Sequence, residues 1–112
     1  MINGMSKYEE IYVVVRKILK GKVATYGSVA KLLIASGISV TPRLVGRALH
    51  NNPDPQNIPC HRVVDRNGRI AQKYAFGGWK EQRKRLIEEG VRFKDTMHVD
   101  LVQCMWGISV IK

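Results

Sequence analysis

One short interval constrains this chain more than any other feature: Gly37, then Thr41-Pro42. A glycine after an apolar-patterned run ends a helix, and a threonine followed by proline starts one. The gap between them holds only a tight turn. The segments on either side, Thr25 to about Ser36 and Pro42 to about Asn51-Asn52-Pro53, are therefore predicted to pack as a helix-turn-helix. Val29, Leu32 and Leu33 are the expected buried side of the first helix.

The second helix is divided between two faces. Arg43, Gly46, Arg47 and His50 recur at i, i+3, i+4, i+7 and share one side. Leu44, Val45, Ala48 and Leu49 lie opposite and should meet the core. The exposed stripe is thus basic, with a glycine at its centre. Glycine there costs about 1 kcal/mol of helix propensity against alanine. A helix backbone that must come close to something flat or narrow justifies that cost.

The rest of the chain supports a mainly α domain. Ser6 with Glu9 forms a capping-box pattern, and Tyr8, Ile11, Tyr12, Val15, Ile18 and Leu19 trace one apolar face up to Gly21. Residues 51–61 are a proline-rich loop. Val63-Val64 and Arg69-Ile70 flank Asn67-Gly68, which predicts a small β-hairpin. A charged helix is expected from about Trp79 to Glu89, stopped by Gly90, and a short one around Asp100–Trp106. The expectation is one domain over residues 1–112: a winged helix-turn-helix-like, mainly α fold, with its core at 7–93 and a tail at 94–112 packed on the body.

Charge narrows the partner. Nineteen Lys and Arg against nine Asp and Glu give a net charge of +10. A polyanion is favoured, nucleic acid ahead of an anionic membrane. There is no apolar run of membrane-spanning length and no secretory signal, so a soluble, cytoplasmic, nucleoid-associated protein is expected. Its two cysteines would stay reduced there.

Cys60 stands beside His61. A thiol becomes a nucleophile as thiolate, and an adjacent imidazole can take its proton, directly or through a water. A carboxylate would hold that imidazole in the right tautomer; Asp65, Glu88 and Glu89 are all candidates. Zinc is disfavoured, because Cys60, His61, His98 and Cys104 lack the usual ligand-pair spacings. No metal or cofactor is implied.

Pro59-Cys60-His61-Arg62-Val63 resembles the active-site signature of the O6-alkylguanine-DNA alkyltransferases. The resemblance runs from about residue 7 to 93 and covers that family's DNA-binding C-terminal domain. Gly21-Lys22-Val23-Ala24-Thr25-Tyr26 is similar to the segment ending in the family's pocket tyrosine, and Arg43-Leu44-Val45-Gly46-Arg47-Ala48-Leu49 to its recognition helix. Asn52-Pro53, Gly77-Gly78 and Glu89-Gly90 fall at matching positions. The resemblance implies roles. Cys60 takes the alkyl group irreversibly, His61 deprotonates it through a water, Glu89 orients His61, and Asn52 braces the turn. Tyr26 donates to N3 of the flipped guanine and helps rotate its phosphate, and Arg43 fills the gap left in the duplex. The main-chain carbonyls of Cys60 and Val63 accept from the guanine amino group. Thr41, Gly46 and Arg47 accompany Arg43 on the minor-groove face, with Lys80, Arg83, Lys84 and Arg85 as basic flanks for phosphates. Val63, Tyr74 and Gly77 are expected around the substrate pocket.

Three departures from the pattern matter. Between Gly68 and Gly77 the chain carries two more residues than the family spacing, so no donor to the guanine O6 is assigned. No counterpart of the family's N-terminal domain is expected, and the tail Val99-Asp100-Leu101 with Trp106 resembles the alkyltransferase-like proteins. Those have tryptophan or alanine at the cysteine position and bind alkylated DNA without repairing it. The expected function is single-turnover alkyl transfer by a monomer acting on double-stranded DNA. The alternative is a non-enzymatic lesion binder that passes DNA to excision-repair partners.

Overall fold

The computed structural model describes residues 4–107. Helix α1 (Lys7–Arg16) begins where its cap requires: Ser6 Oγ accepts from the Glu9 amide at 3.1 Å, and the Glu9 carboxylate accepts from the Ser6 amide at 2.8 Å. Ile11, Tyr12 and Val15 turn inward. The helix ends at Arg16, earlier than the apolar pattern predicts. Ile18 stays buried in the turn that follows, but Leu19 is 64% exposed because the chain has already left helical register.

Strand β1 (Ala24–Thr25) leads directly into α2 (Tyr26–Ala35), whose cap Thr25 accepts from the Ser28 amide at 3.0 Å. Val29, Ala30 and Leu33 are buried. Leu32, expected among them, is 47% exposed. It lies about 100° round the helix from the centre of the buried face. Helix α3 (Pro42–His50) starts at the Thr41 cap and buries Val45, Ala48 and Leu49, with Leu44 half-buried. Its far end is held by α1: the Tyr12 hydroxyl reaches the Ala48 carbonyl at 2.7 Å and the Asn51 carbonyl at 3.4 Å. Helices α2 and α3 form the expected helix-turn-helix.

The expected hairpin is not formed. The Asp65–Gly68 turn exists, with Gly68 at φ +84° and its amide on the Asp65 carbonyl. Beyond it the two arms part. Strand β2 (Val63–Val64) pairs in parallel with β1, in the register Ala24↔Val63 and Thr25↔Val64, while Arg69 bridges to His98. The tail extends this arrangement: Val23 bridges Met105 in parallel, and the Trp106 amide donates to the Val23 carbonyl at 2.7 Å. Helix α4 (Gly78–Glu88) and the one-turn α5 (Leu101–Cys104) complete the chain. The tail past residue 107 lies outside the described residues.

The small sheet separates two cores. Ala24 and Val63 face a cluster built by α1, α2 and α3, which also holds Cys60 and Tyr74. Val23 and Val64 face a second cluster with Ile70, Leu86, Val91, Val99 and Cys104. This is the alternation of a strand put to use at a partition. The cysteine of interest lies in the first core, directly beneath the helix-turn-helix.

Candidate active site and DNA-facing helix

Asn52 shapes the approach to Cys60. It is 5% exposed, and its Nδ2 donates to the Ile58 carbonyl at 2.8 Å while its Oδ1 accepts from the Asp54 amide at 2.9 Å. Those bonds close the proline-rich loop back on itself just before Pro59. Cys60 then opens a 3-10 turn, Cys60–Arg62. Cys60 is 4% exposed.

The turn sends His61 away from the loop and onto Glu89. His61 Nε2 lies 2.9 Å from Glu89 Oε2. Arg62 grips both oxygens of the same carboxylate, at 2.9 and 2.8 Å, and also donates to the Ile18 carbonyl at 2.8 Å. Burial raises the Glu89 carboxyl, but the hydrogen bonds from Arg62 and His61 outweigh it and hold the group below its ordinary value. Burial lowers His61, only partly offset by Glu89. The imidazole is therefore neutral at pH 7. With Nε2–H donating to the carboxylate, Nδ1 carries the lone pair, and Nδ1 is buried with no hydrogen-bond partner. A neutral imidazole with a fixed tautomer and an unused lone pair is able to accept a proton. Of the three carboxylates left open by sequence, Glu89 is the partner. Asp65 instead accepts from the Asn67 and Arg69 amides, and Glu88 is exposed.

Cys60 lies at one wall of a cavity of about 60 Å³. Tyr26, Gly46, Val63, Lys73, Tyr74 and Gln82 contribute to its lining. Burial, then Asp65 and Cys60, raise the Tyr26 phenol. Val63 and Tyr74 line this cavity, whereas Gly77 caps α4 at φ +120°, where a side chain would strike Glu81. Gln82 is not among the site residues expected from sequence, and Arg85 is expected there only as a phosphate contact. Gln82 is 1% exposed, accepts from the Ala71 amide, and donates to the carbonyls of His61 and Val63. Its spacing from Leu86, four residues on, is the signal that it faces inward.

Two arginines of the basic flank have partners within the molecule. Arg85 turns inward, with one guanidinium nitrogen on the Tyr74 hydroxyl at 3.1 Å. Arg83 stacks over Phe93 at 4.9 Å. Lys80 and Lys84 remain exposed. On α3, Thr41, Arg43, Arg47 and His50 are exposed and share the surface with Gly46, which reaches the cavity through its contact with Tyr26. A Cβ on Gly46 would sit 3.8 Å from the Tyr26 ring, an ordinary contact. Among the described residues nothing demands glycine there. Cys104 is remote from this constellation and donates to the Asp100 carbonyl. Among the described residues no group of three His, Cys, Asp or Glu could hold a metal, and no helix is long and apolar enough to cross a membrane.

Residues 6–91 match the family described as 6-O-methylguanine DNA methyltransferase, DNA binding domain. The chain belongs to this methyltransferase family. Alkyltransferase-like protein 1 of Schizosaccharomyces pombe is 33% identical over 103 residues, covering 88% of this chain and 93% of that one. The methylated-DNA–protein-cysteine methyltransferase of Thermococcus gammatolerans is 45% identical over 78 residues, which span 69% of this chain but 40% of that protein. The crystal structure of S. pombe Atl1 in complex with damaged DNA containing O6-carboxymethylguanine superposes with a TM-score of 0.77 at 32% identity, over 93% of this chain and 98% of that one. The chain shares its fold with solved structures of both an alkyltransferase-like protein and a methyltransferase. Its Cys60 shares the first core with the helix-turn-helix, and both lie within the matched residues.

Proposed function

We propose that this protein repairs DNA directly, by moving the alkyl group of O6-alkylguanine onto Cys60. The observation that carries the proposal is a buried cysteine lining a cavity under a basic helix, next in sequence to a neutral, carboxylate-oriented histidine. The alkylated oxygen is inaccessible in a stacked duplex, so the nucleotide must be taken out. Helix α3 enters the minor groove with Gly46 against it. Arg43 fills the vacated place, Arg47 and the Thr41 end contact the backbone, and Tyr26 meets the extruded guanine. The carbonyls of Cys60 and Val63 accept from its amino group.

The chemistry then balances simply. The thiol proton goes to His61, by way of a water. The sulfur attacks the alkyl carbon, an S–C bond forms, and the C–O6 bond breaks with its electron pair passing to the guanine. The proton ends on the guanine. The thioether is permanent, so each molecule acts once as a methylated-DNA–protein-cysteine S-methyltransferase. Asn52 supports this by holding the backbone ahead of the nucleophile. No cofactor enters, and the protein acts as a monomer.

A second reading has its own support: the match to an alkyltransferase-like protein over nearly that protein's whole length. On that reading the protein binds the flipped lesion and presents it to excision-repair partners, with Cys60 idle. Intact-mass measurement after incubation with a duplex holding O6-methylguanine separates them. Transfer adds one methylene to the peptide containing Cys60, and Cys60→Ala abolishes the gain while retaining binding. Tight lesion binding with no mass change would establish the second reading instead.

A further inference from the structure

The Tyr74 hydroxyl lies 3.7 Å from Cys60 Sγ and 3.1 Å from an Arg85 guanidinium nitrogen. Tyr74 is 8% exposed. Arginine can only donate, so at this contact the phenol oxygen is the acceptor. The phenol's own proton is thereby left to point elsewhere, and its other neighbour is the cysteine sulfur. Arg85 is in turn steadied by Glu81, at 2.9 Å. The chain Glu81–Arg85–Tyr74 thus leaves a single O–H free to donate on the side of the sulfur.

We propose that Tyr74, positioned by Arg85, is the hydrogen-bond donor to the guanine O6 as the alkyl group leaves. This rests on the reading of the cavity as an O6-alkylguanine site. The reach is right. A reacting carbon sits about 3–3.5 Å from its nucleophile, and O6 lies one bond further on in line, under about 5 Å from Sγ. A donor 3.7 Å from Sγ can then stand at hydrogen-bond distance, about 2.8 Å, from that oxygen. During transfer negative charge moves from sulfur to guanine, and the one O–H can follow it from the first atom to the second. Such a donor stabilises charge where it develops and asks little of the ground state, because an ether oxygen is a poor acceptor. Tyr74 keeps its proton throughout. Burial, followed by the charge and hydrogen bond of Cys60, pushes the phenol above its ordinary value, against the pull of Arg85. Arg85 is a positioning residue: it acts through Tyr74.

The test compares wild type, Tyr74→Phe, Arg85→Lys and Arg85→Gln by single-turnover transfer from an O6-methylguanine duplex, read by intact mass over a range of DNA concentrations. Alkylation of Cys60 by iodoacetamide is measured in parallel. Tyr74→Phe is expected to lower the saturating rate about a hundredfold and to raise the half-saturating DNA concentration by less than about fivefold. Its iodoacetamide reaction is expected to stay within about twofold of wild type, since that reagent has no O6. Arg85→Lys is expected to keep more of the rate than Arg85→Gln. An unchanged transfer rate in Tyr74→Phe, or an equal loss in both reactions, overturns the proposal. If wild type gains no mass, the transfer reading falls, and binding decides for Tyr74. A drop of about three- to fivefold in preference for the lesion duplex over an unmodified duplex in Tyr74→Phe upholds the contact with O6; an unchanged preference overturns it.

Discussion

His61 Nε2 and Glu89 Oε2 stand 2.9 Å apart although 28 positions separate the two residues. The end of α4 is thereby fastened to the turn that carries Cys60. Glu89→Gln keeps the shape and removes the charge that fixes the imidazole tautomer, and it loosens Arg62 at the same time. The expected result is a fall in single-turnover transfer of about a hundredfold, with lesion binding nearly intact. Quench-flow mass spectrometry and fluorescence anisotropy measure the two quantities separately.

The same pair gives a pH dependence. The folded His61 is below its ordinary value, so the unfolded chain takes up a proton first on acidification. Stability is full above about pH 6.5 and declines as the pH falls below it, until the folded histidine also titrates. Glu89 is likewise held low, and its contribution is lost further down, below about pH 4.5. Urea titrations across this range should show the first loss in wild type and a smaller one in His61→Gln.

Gly46 separates the needs of the fold from those of the ligand. Alanine fits beside Tyr26 and favours a helix, so Gly46→Ala should raise unfolding free energy by about 1 kcal/mol or less. Affinity for duplex DNA should fall about tenfold if the helix backbone seats closely in a groove. Thermal denaturation and DNA titration on one preparation check both signs. A variant that is stabilised and binds undiminished would remove the groove argument.

Arg43 is exposed near the start of α3 and is the residue proposed to fill the duplex. Arg43→Ala should weaken binding to a paired lesion about tenfold with the fold unchanged. A wedge and a phosphate contact differ in salt response: the slope of log affinity against log salt stays constant for a wedge and falls by about 1 for a lost phosphate contact. A lesion already unpaired by a mismatch should bind the variant almost as well as wild type.

Asn52 offers a stability measurement. Asn52→Ala leaves the Ile58 carbonyl and the Asp54 amide without their partner in a buried loop. The expected cost is about 1–3 kcal/mol in urea unfolding, together with slower transfer because the backbone ahead of Cys60 loosens.

Much of this was readable in one dimension because it is local. Ser6 with Glu9 and Thr41 with Pro42 act over three or four residues, and each helix starts where its cap says. The Asn67-Gly68 turn is local too, and it forms. What failed was pairing across distance. Val63 and Val64 choose Ala24 and Thr25 over the adjacent Arg69 and Ile70, because that places Val63 and Val64 in separate apolar clusters. Arg85 failed for a related reason. In a run of basic residues each looks solvated, and only the buried Tyr74 hydroxyl shows which one turns inward. Residue chemistry alone left Asp65, Glu88 and Glu89 open beside His61; the resemblance named Glu89, and the coordinates place that carboxylate 2.9 Å from the imidazole.

Tyr12 decides which end of α3 is held firm. Its hydroxyl ties α1 to the Ala48 and Asn51 carbonyls, so α3 is anchored at the end nearest the proline-rich loop. The other end depends on the exposed Thr41 cap. Such a helix is a beam clamped at one end. Load applied by a bulky guest near Arg43 bends the outer turn, while the clamped turn keeps its spacing from the loop behind it. Amide exchange should therefore be fast in the first turn and slow in the last, and Tyr12→Phe should even out the two.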